Sequence, residues 1–206
     1  MNEIYQLYIN YLREAVKIKS ISTTSEYQKE IGEMVLLCEK LLNDSNFEVK
    51  TISGYGNPIV FGTLNIDSEY ETVLLYGHYD VQPAEESDGW IHDPFDLKVT
   101  DDKLYGRGAI DNKGQFLIYL AIINHLIRDN SLKYNIKIIL EGNEESGSEE
   151  LINFLRDYRK DLDCDFAMCS DGEIQNNQPT IDVSFRGNIN STLKIIGPKN
   201  DLQSGL

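Results

Sequence analysis

Short apolar runs typical of β-strands alternate along this chain with segments of helical periodicity. Residues 72–76 and 134–140 have the composition and alternation of strands, and residues 110–127 between them repeat apolar side chains at helical spacing. Such alternation predicts an α/β fold, in which helices sandwich a mostly parallel mixed sheet. The other predicted elements are helices over 2–18, 25–42 and 148–158, and strands over 47–52, 58–64, 103–105 and 165–169. Ser25 and Gln28 have the spacing of a capping box at the start of the second helix.

The pattern changes after Gln178-Pro179. Residues 180–185 and 191–196 form two alternating runs that look like the start of a second sheet. We therefore expect one domain over 1–179 and the first strands of another over 180–206. Because two strands alone are marginally stable in water, this tail needs the main domain or another chain as support.

The chain is acidic, with 34 Asp and Glu against 19 Lys and Arg and a net charge of −15. Binding to nucleic acid or to an anionic membrane surface needs clustered basic residues, so neither partner is expected. No apolar stretch reaches the ~18 residues of a membrane span, and the first residues lack the pattern of a secretory signal. Three cysteines without a Cys-x-x-Cys pair indicate free thiols. These features predict a cytoplasmic protein.

Polar residues able to bind a metal follow the predicted strands. His78 comes after the strand 72–76, the pair Glu144-Glu145 after 134–140, and Asp171 after 165–169, while Asp111 lies at the entry of a helix. In open α/β sheets, ligands gather beyond the carboxyl ends of the strands. We therefore expect these five side chains to converge.

Converging carboxylates repel one another unless a cation neutralises them. One imidazole with several carboxylates suits Zn²⁺, with Mn²⁺ or Co²⁺ as alternatives, better than Mg²⁺. Asp80 is placed to accept the proton of the His78 nitrogen that does not bind metal. Adjacent Glu144 and Glu145 cannot point the same way, so one would bind metal while the other acts as general base.

Five motifs occur in order along the chain: GHYDVQP at 77–83, Trp90 with DPF at 93–95, LYGRGAIDNKG at 104–114, EGNEESGS at 141–148 and SDG at 170–172. Together they resemble, in order, the motifs of the dinuclear zinc peptidases and deacylases. That family includes acetylornithine deacetylase, succinyl-diaminopimelate desuccinylase, carboxypeptidase G and the carnosine-type dipeptidases. Tyr79 and the run 113–115 look more like the dipeptidase branch.

The resemblance implies a residue-by-residue assignment. Asp111 would bridge two metals, with His78 and Asp171 on one and Glu145 on the other. Glu144 resembles the general base acting on a metal-bridged water, and Asp80 the residue that orients His78. The implied reaction is hydrolysis of a peptide or amide bond in a small peptide or an N-acylated amino acid. The segment 180–206 would then begin a smaller α+β lid domain, through which such proteins can form homodimers.

The chain departs from the family pattern at two places. The family supplies a further histidine ligand from a segment far downstream, and this sequence ends before it. Dipeptidases usually carry a lid histidine that stabilises the oxyanion, where this chain has Gln203. We therefore expect the 206 residues alone to bind one zinc tightly at most and to hydrolyse weakly or not at all. A non-catalytic metal-binding or protein-association module is the alternative. A single-metal phosphatase or lactamase-like hydrolase is disfavoured, because no His-x-His pair lies near His78.

Overall fold

The first of two compact units contains the α/β fold. The computed structural model describes residues 2–101 and 103–172, and also residues 174, 176, 178, 180, 181, 184, 187, 189 and 191–197. The units are residues 1–171 and 172–206. In the described part of the first unit the helices are α1 (Asn2–Lys17), α2 (Gln28–Asp44), α3 (Lys113–Arg128) and α4 (Leu151–Asp157). The strands are β1 (Glu48–Ile52), β2 (Ile59–Leu64), β3 (Thr72–His78), β4 (Lys98–Val99), β5 (Leu104–Tyr105), β6 (Asn135–Glu141) and β7 (Phe166–Cys169).

Five strands form one mixed sheet in the order β1-β2-β6-β3-β7. Strand β3 pairs in parallel with both β6 and β7, whereas β2 pairs antiparallel with β1 and β6. Only β2 therefore runs against the other four strands, and the predicted mostly parallel mixed sheet is confirmed. Strands β4 and β5 pair separately as a short antiparallel ribbon.

Both faces of the sheet are covered by helices. On β6, Ile138 faces the core that contains Leu120 of α3, while the next residue, Ile139, faces Phe154 of α4. This alternation is what a strand buried on both sides requires. Phe154, Leu120 and Ile138 are completely buried, and burial of each such side chain contributes roughly 1.5–3 kcal/mol. The predicted sandwich is thus confirmed.

The predicted capping box at Ser25 is wrong. Residues Ser25–Tyr27 form a separate 3₁₀ turn, and α2 begins at Gln28 with Tyr27 as its N-cap and no side-chain cap. The Ser-x-x-Gln spacing therefore falls across the junction between two helical segments and not at the start of one.

The second unit does not contain the strand expected over 191–196. The structure describes all six of these residues, and none lies in a helix or strand. Leu193, Ile195 and Ile196 are exposed, so this alternating run buries no face of a sheet. Several positions within 180–185 lie outside the described residues, and the lid or dimerisation role of 180–206 stays a prediction. Among the helices that the structure describes, none is long and apolar enough to cross a bilayer.

Candidate metal and catalytic site

The candidate residues follow neighbouring strands at one edge of the sheet. His78 is the last residue of β3, and Asp171 comes two residues after β7. Glu144 and Glu145 lie in a 3₁₀ turn, Glu144–Ser146, three residues beyond β6. Because β6, β3 and β7 are parallel neighbours, their carboxyl ends meet at the edge where α/β proteins bind ligands.

His78, Asp111 and Asp171 form a compact group, called here the three-residue cluster. His78 Nε2 lies 2.9 Å from Asp111 Oδ1 and 3.7 Å from Asp171 Oδ2. One ligand atom from each residue fits within a 4.8 Å span. The imidazole is completely buried, whereas the Asp111 side chain is 57% exposed. One nitrogen and two carboxylate oxygens at this spacing, open on one side, could hold a divalent cation.

The second ring nitrogen of His78 is held by Asp80. Nδ1 lies 3.1 Å from the backbone carbonyl oxygen of Asp80 and 3.3 Å from its carboxylate Oδ1. The carbonyl is therefore the nearer partner, which the sequence did not predict. Burial of the imidazole lowers its pKa, but the hydrogen bonds to Asp111, Asp171 and Asp80 outweigh burial and raise the pKa of His78 to about 12. Without a cation, an imidazolium would thus neutralise these carboxylates.

The buried carboxylate of Asp80 also fixes the turn that carries the two glutamates. It accepts hydrogen bonds from the backbone N–H groups of Glu144, at 3.3 Å, and Glu145, at 3.1 Å. The Ser22 hydroxyl donates to the same carboxylate at 2.5 Å. A single completely buried side chain therefore connects His78, the glutamate turn and the N-terminal segment. The sequence indicated only its contact with His78.

Glu144 reaches toward the three-residue cluster. Its Oε2 lies 3.9 Å from His78 Nε2. Partial burial raises the pKa of Glu144; the positive His78 opposes this shift, and the carboxylates of Asp171, Glu145 and Asp111 add to it. A raised carboxyl pKa suits a group that takes and returns a proton near neutral pH.

The Glu145 carboxylate is not part of the three-residue cluster and contacts Gln82. The backbone N–H of Gln82 donates to Glu145 Oε1 at 3.2 Å, and its side-chain amide donates to Oε2 at 2.8 Å. The same amide also contacts the Glu145 carbonyl oxygen at 3.1 Å. Both carboxylate oxygens are thus oriented by one residue.

Asn112 connects Asp171 to β3. Its side-chain amide donates to Asp171 Oδ1 at 3.0 Å, while its Oδ1 accepts the backbone N–H of His78 at 3.1 Å. The hydrogen bond with His78, aided by that with Asn112, lowers the pKa of Asp171 despite partial burial. Asp171 therefore stays ionised and able to bind a cation.

Comparison with known proteins identifies the family. Residues 74–192, more than half of the chain, match the model of peptidase family M20/M25/M40. The chain belongs to this family.

Its M20 relatives include several dipeptidases. Over 72% of its length the chain is 40% identical to Beta-Ala-His dipeptidase of Mus musculus, covering 31% of that protein. Over its whole length it is 32% identical to Cys-Gly metallodipeptidase DUG1 of Candida albicans, covering 46% of that protein. The structure of human carnosine dipeptidase 1 matches 83% of this chain and 41% of its own, with a TM-score of 0.76 and 31% identity. The chain thus spans from about a third to less than half of the relatives named here.

Four of the expected site residues lie together, and Glu145 has another partner. His78, Asp111 and Asp171 form the cluster, with Glu144 beside it. Glu145 contacts Gln82, and Gln203 lies outside the described residues. The sequence alone did not single out Ser22, Gln82 and Asn112, although Gln82 and Asn112 occur within the motifs that carry the resemblance.

Proposed function

We propose that this chain is the metal-binding part of a hydrolase that cleaves a peptide or amide bond in a small substrate. The observation that carries the proposal is the cluster of His78, Asp111 and Asp171 with the Glu144 carboxylate 3.9 Å from the same imidazole nitrogen. Metal-assisted hydrolysis needs these two parts together, a cation site and an adjacent carboxylate base. Membership of the M20 family supports the same reaction class.

The donor set fits Zn²⁺, with Mn²⁺ and Co²⁺ as alternatives. An imidazole nitrogen with carboxylate oxygens is typical of these metals and unusual for Mg²⁺. The contact of His78 Nδ1 with the Asp80 carbonyl oxygen supports metal binding through Nε2, because it places the remaining N–H of the neutral ring on Nδ1. When bound, the cation would supply Lewis-acid polarisation of the scissile carbonyl and would activate water.

We assign the following roles to the chain's own residues. His78 and Asp171 would hold one cation, Asp111 would bridge to a second, and Glu145 would bind that second cation. Glu144 would accept a proton from the attacking water and return it to the leaving amine. Its raised pKa supports this cycle, because a carboxyl group both accepts and returns a proton most effectively when its pKa lies near the working pH.

We propose a dipeptide as the substrate class, with N-acylated amino acids as the alternative. The support comes from the relatives, whose names specify a Beta-Ala-His dipeptidase and a Cys-Gly metallodipeptidase. Their full-length activity is carried over to this chain only as a hypothesis, since the alignment covers less than half of each.

Replacement of Glu144 by glutamine tests the proposal. Glu144→Gln keeps the shape of the side chain but cannot accept the proton, so hydrolysis of a dipeptide panel in Zn²⁺ should fall by about 100-fold or more. Zn²⁺ affinity, measured by chelator competition, should change little, because Glu144 is not in the three-residue cluster. Glu149→Gln is the matched control, since Glu149 is an exposed carboxylate just beyond the same turn. Zn²⁺-dependent hydrolysis that survives Glu144→Gln unchanged would rule out the assigned base.

A non-catalytic metal-binding or association module is the second candidate. It is favoured by the arrangement of Glu145, whose carboxylate contacts Gln82 and lies outside the three-residue cluster. Under this candidate the wild-type chain binds Zn²⁺, and Glu144→Gln leaves any measured hydrolysis unchanged. Zn²⁺-dependent hydrolysis, however weak, that Glu144→Gln abolishes therefore supports the first candidate over this one.

We also propose a cytoplasmic location and self-association through residues 180–206. The free thiols of Cys38, Cys164 and Cys169 fit a reducing compartment. Exposed aliphatic side chains in the second unit, such as Leu193 and Ile195, support an interaction surface there. Fractionation of the native host would test the first, and sedimentation of the chain at several concentrations would test the second.

A further inference from the structure

The turn between β1 and β2 contacts the segment that leads from β6 to the two glutamates. The side-chain amide of Asn57 donates to the carbonyl oxygen of Gly142 at 2.6 Å. The backbone N–H of Asn57 donates to Asn143 Oδ1 at 2.5 Å. Asn57 is only 8% exposed, so these bonds are largely shielded from competing water. We call this pair of bonds the Asn57–Asn143 contact.

Two glycines allow the close approach that the Asn57–Asn143 contact needs. A Cβ on Gly56 would overlap the side-chain amide of Asn143, and a Cβ on Gly142 would overlap the ring of Tyr79. Gly56 also has a φ of +80°, which other residues rarely adopt. The two segments therefore pass each other at a separation that any larger residue at these positions would increase.

Tyr79 contacts both the β1–β2 turn and the segment that leads out of β6. Its hydroxyl donates to the carbonyl oxygen of Pro58 at 2.6 Å, and its backbone N–H donates to that of Glu141 at 2.8 Å. The ring itself is completely buried. Residues 142–143 are consequently fixed between the β1–β2 turn on one side and Tyr79 on the other.

Open space lies behind the glutamate turn. A cavity of about 300 Å³ is lined by Gly56, Glu141, Asn143 and Ser146, among others. The Asp80 carboxylate accepts hydrogen bonds from the backbone N–H groups of Glu144 and Glu145 in the same turn. Asn143, which directly precedes Glu144, lines this cavity and accepts the bond from Asn57, whereas Asp80 and Gln82 hold the turn at Glu144 and Glu145.

We infer that Asn57, through Asn143 and Gly142, is a positioning residue that sets the location of the Glu144 carboxylate above the three-residue cluster. It touches neither the cluster nor Glu144 itself. The catalytic meaning of this role rests on the proposed function, whereas the positional role does not. A residue that only stabilises the fold would protect all core amides from hydrogen exchange to the same extent. A positioning residue protects the amides of the glutamate turn selectively.

Hydrogen–deuterium exchange followed by mass spectrometry tests the inference on the full 206-residue chain. In Asn57→Ala, and separately in Asn143→Ala, the peptide that spans residues 141–148 should exchange up to about tenfold faster, as loss of about one net hydrogen bond implies. A peptide from the buried part of α3 should keep its wild-type rate. Asn143 is only half-buried, so its replacement provides a second variant if Asn57→Ala does not fold.

Two glycines of the same turn provide a matched pair. Gly54 and Gly56 both have positive φ, but a Cβ on Gly54 meets nothing within 4 Å. Gly54→Ala and Gly56→Ala therefore share backbone strain, and only Gly56→Ala displaces Asn143. Faster exchange of peptide 141–148 in Gly56→Ala but not in Gly54→Ala supports the inference. Equal exchange in the two variants contradicts it.

Activity and metal affinity separate this inference from the proposed function. If the chain hydrolyses a dipeptide, Asn57→Ala should lower kcat by about tenfold at unchanged KM, since a displaced base affects the proton transfer and not binding. Zn²⁺ affinity should stay within about threefold of wild type, because removing a partner outside the cluster leaves its donors in place. If the wild type shows no hydrolysis, the exchange data alone decide the positional role. Uniformly faster exchange in all peptides would overturn the positioning role.

Discussion

Replacement of Asp80 by asparagine probes the residue that connects His78 to the glutamate turn. Oδ1 of Asp80 faces the Glu144 N–H and His78 Nδ1, and Oδ2 faces the Glu145 N–H and the Ser22 hydroxyl. Asparagine has only one acceptor oxygen. The amide nitrogen should turn toward Ser22, whose hydroxyl can accept a hydrogen bond as well as donate one. The N–H of Glu145 then loses its acceptor.

The magnitude follows from these contacts. A hydrogen bond to a buried charged group contributes about 1.5–3 kcal/mol. Asparagine removes one such bond, and it also removes the negative charge of the carboxylate that strengthens the remaining bonds. We therefore expect Asp80→Asn to lower the free energy of unfolding by about 2–4 kcal/mol. Zn²⁺ affinity should fall by about 10–100-fold, as is usual when the partner of a metal-binding histidine is changed.

Urea denaturation in the presence of a chelator measures the first quantity, and chelator competition measures the second. Asp67→Asn is the matched control, because Asp67 accepts a backbone N–H in an exposed turn where asparagine serves equally well. That variant should stay within about 0.5 kcal/mol of wild type. An Asp80→Asn protein with wild-type stability and wild-type Zn²⁺ affinity would refute the connecting role of this carboxylate.

Two further predictions concern protons. The raised pKa of His78, about 12, means that the metal-free site is protonated at neutral pH, so Zn²⁺ binding should release close to one proton; calorimetric enthalpies that do not vary with the ionisation enthalpy of the buffer would contradict this. Burial lowers the pKa of Lys113 to about 7, although its Nζ donates to the carbonyl oxygens of Ala15 and Ile18. Between about pH 7 and pH 10 the unfolded state then binds more protons than the folded state. As pH rises through this range, the free energy of unfolding of wild type should therefore increase by up to about 1.4 kcal/mol per pH unit relative to that of Lys113→Met. A difference between the two unfolding free energies that is constant over this range would contradict the assignment.

Local sequence patterns predicted the elements that position the site. His78 comes two residues after the apolar run 72–76, so its place near the carboxyl end of this strand could be inferred, although β3 itself extends to His78. The helix after Asp111 was likewise evident from its periodicity, although α3 begins at Lys113 and not at residue 110. Such signals are contained within about ten consecutive residues, which is the range over which periodicity is informative.

The side-chain contacts between distant segments could not be predicted in the same way. Asn57 lies 86 residues from Asn143, and Ser22 lies 58 residues from Asp80. A polar residue in a turn has many possible partners, and only the three-dimensional arrangement selects one. The strand expected over 191–196 was not found for a related reason: alternation indicates a strand only when a neighbouring strand or helix covers its apolar face.

Strand β7, which precedes Asp171, lies at the end of the sheet and is therefore the strand of the site that opens most easily. All four residues of this strand are exposed, and it pairs with β3 alone in the described sheet. Terminal strands of this kind open more readily than central ones, because the free energy of their local opening is well below that of global unfolding. Asp171, which follows β7, would leave the other donors during each such opening. By mass action, a cation shared among His78, Asp111 and Asp171 would oppose that fraying, so occupancy of the site and order of the outermost strand should rise and fall together.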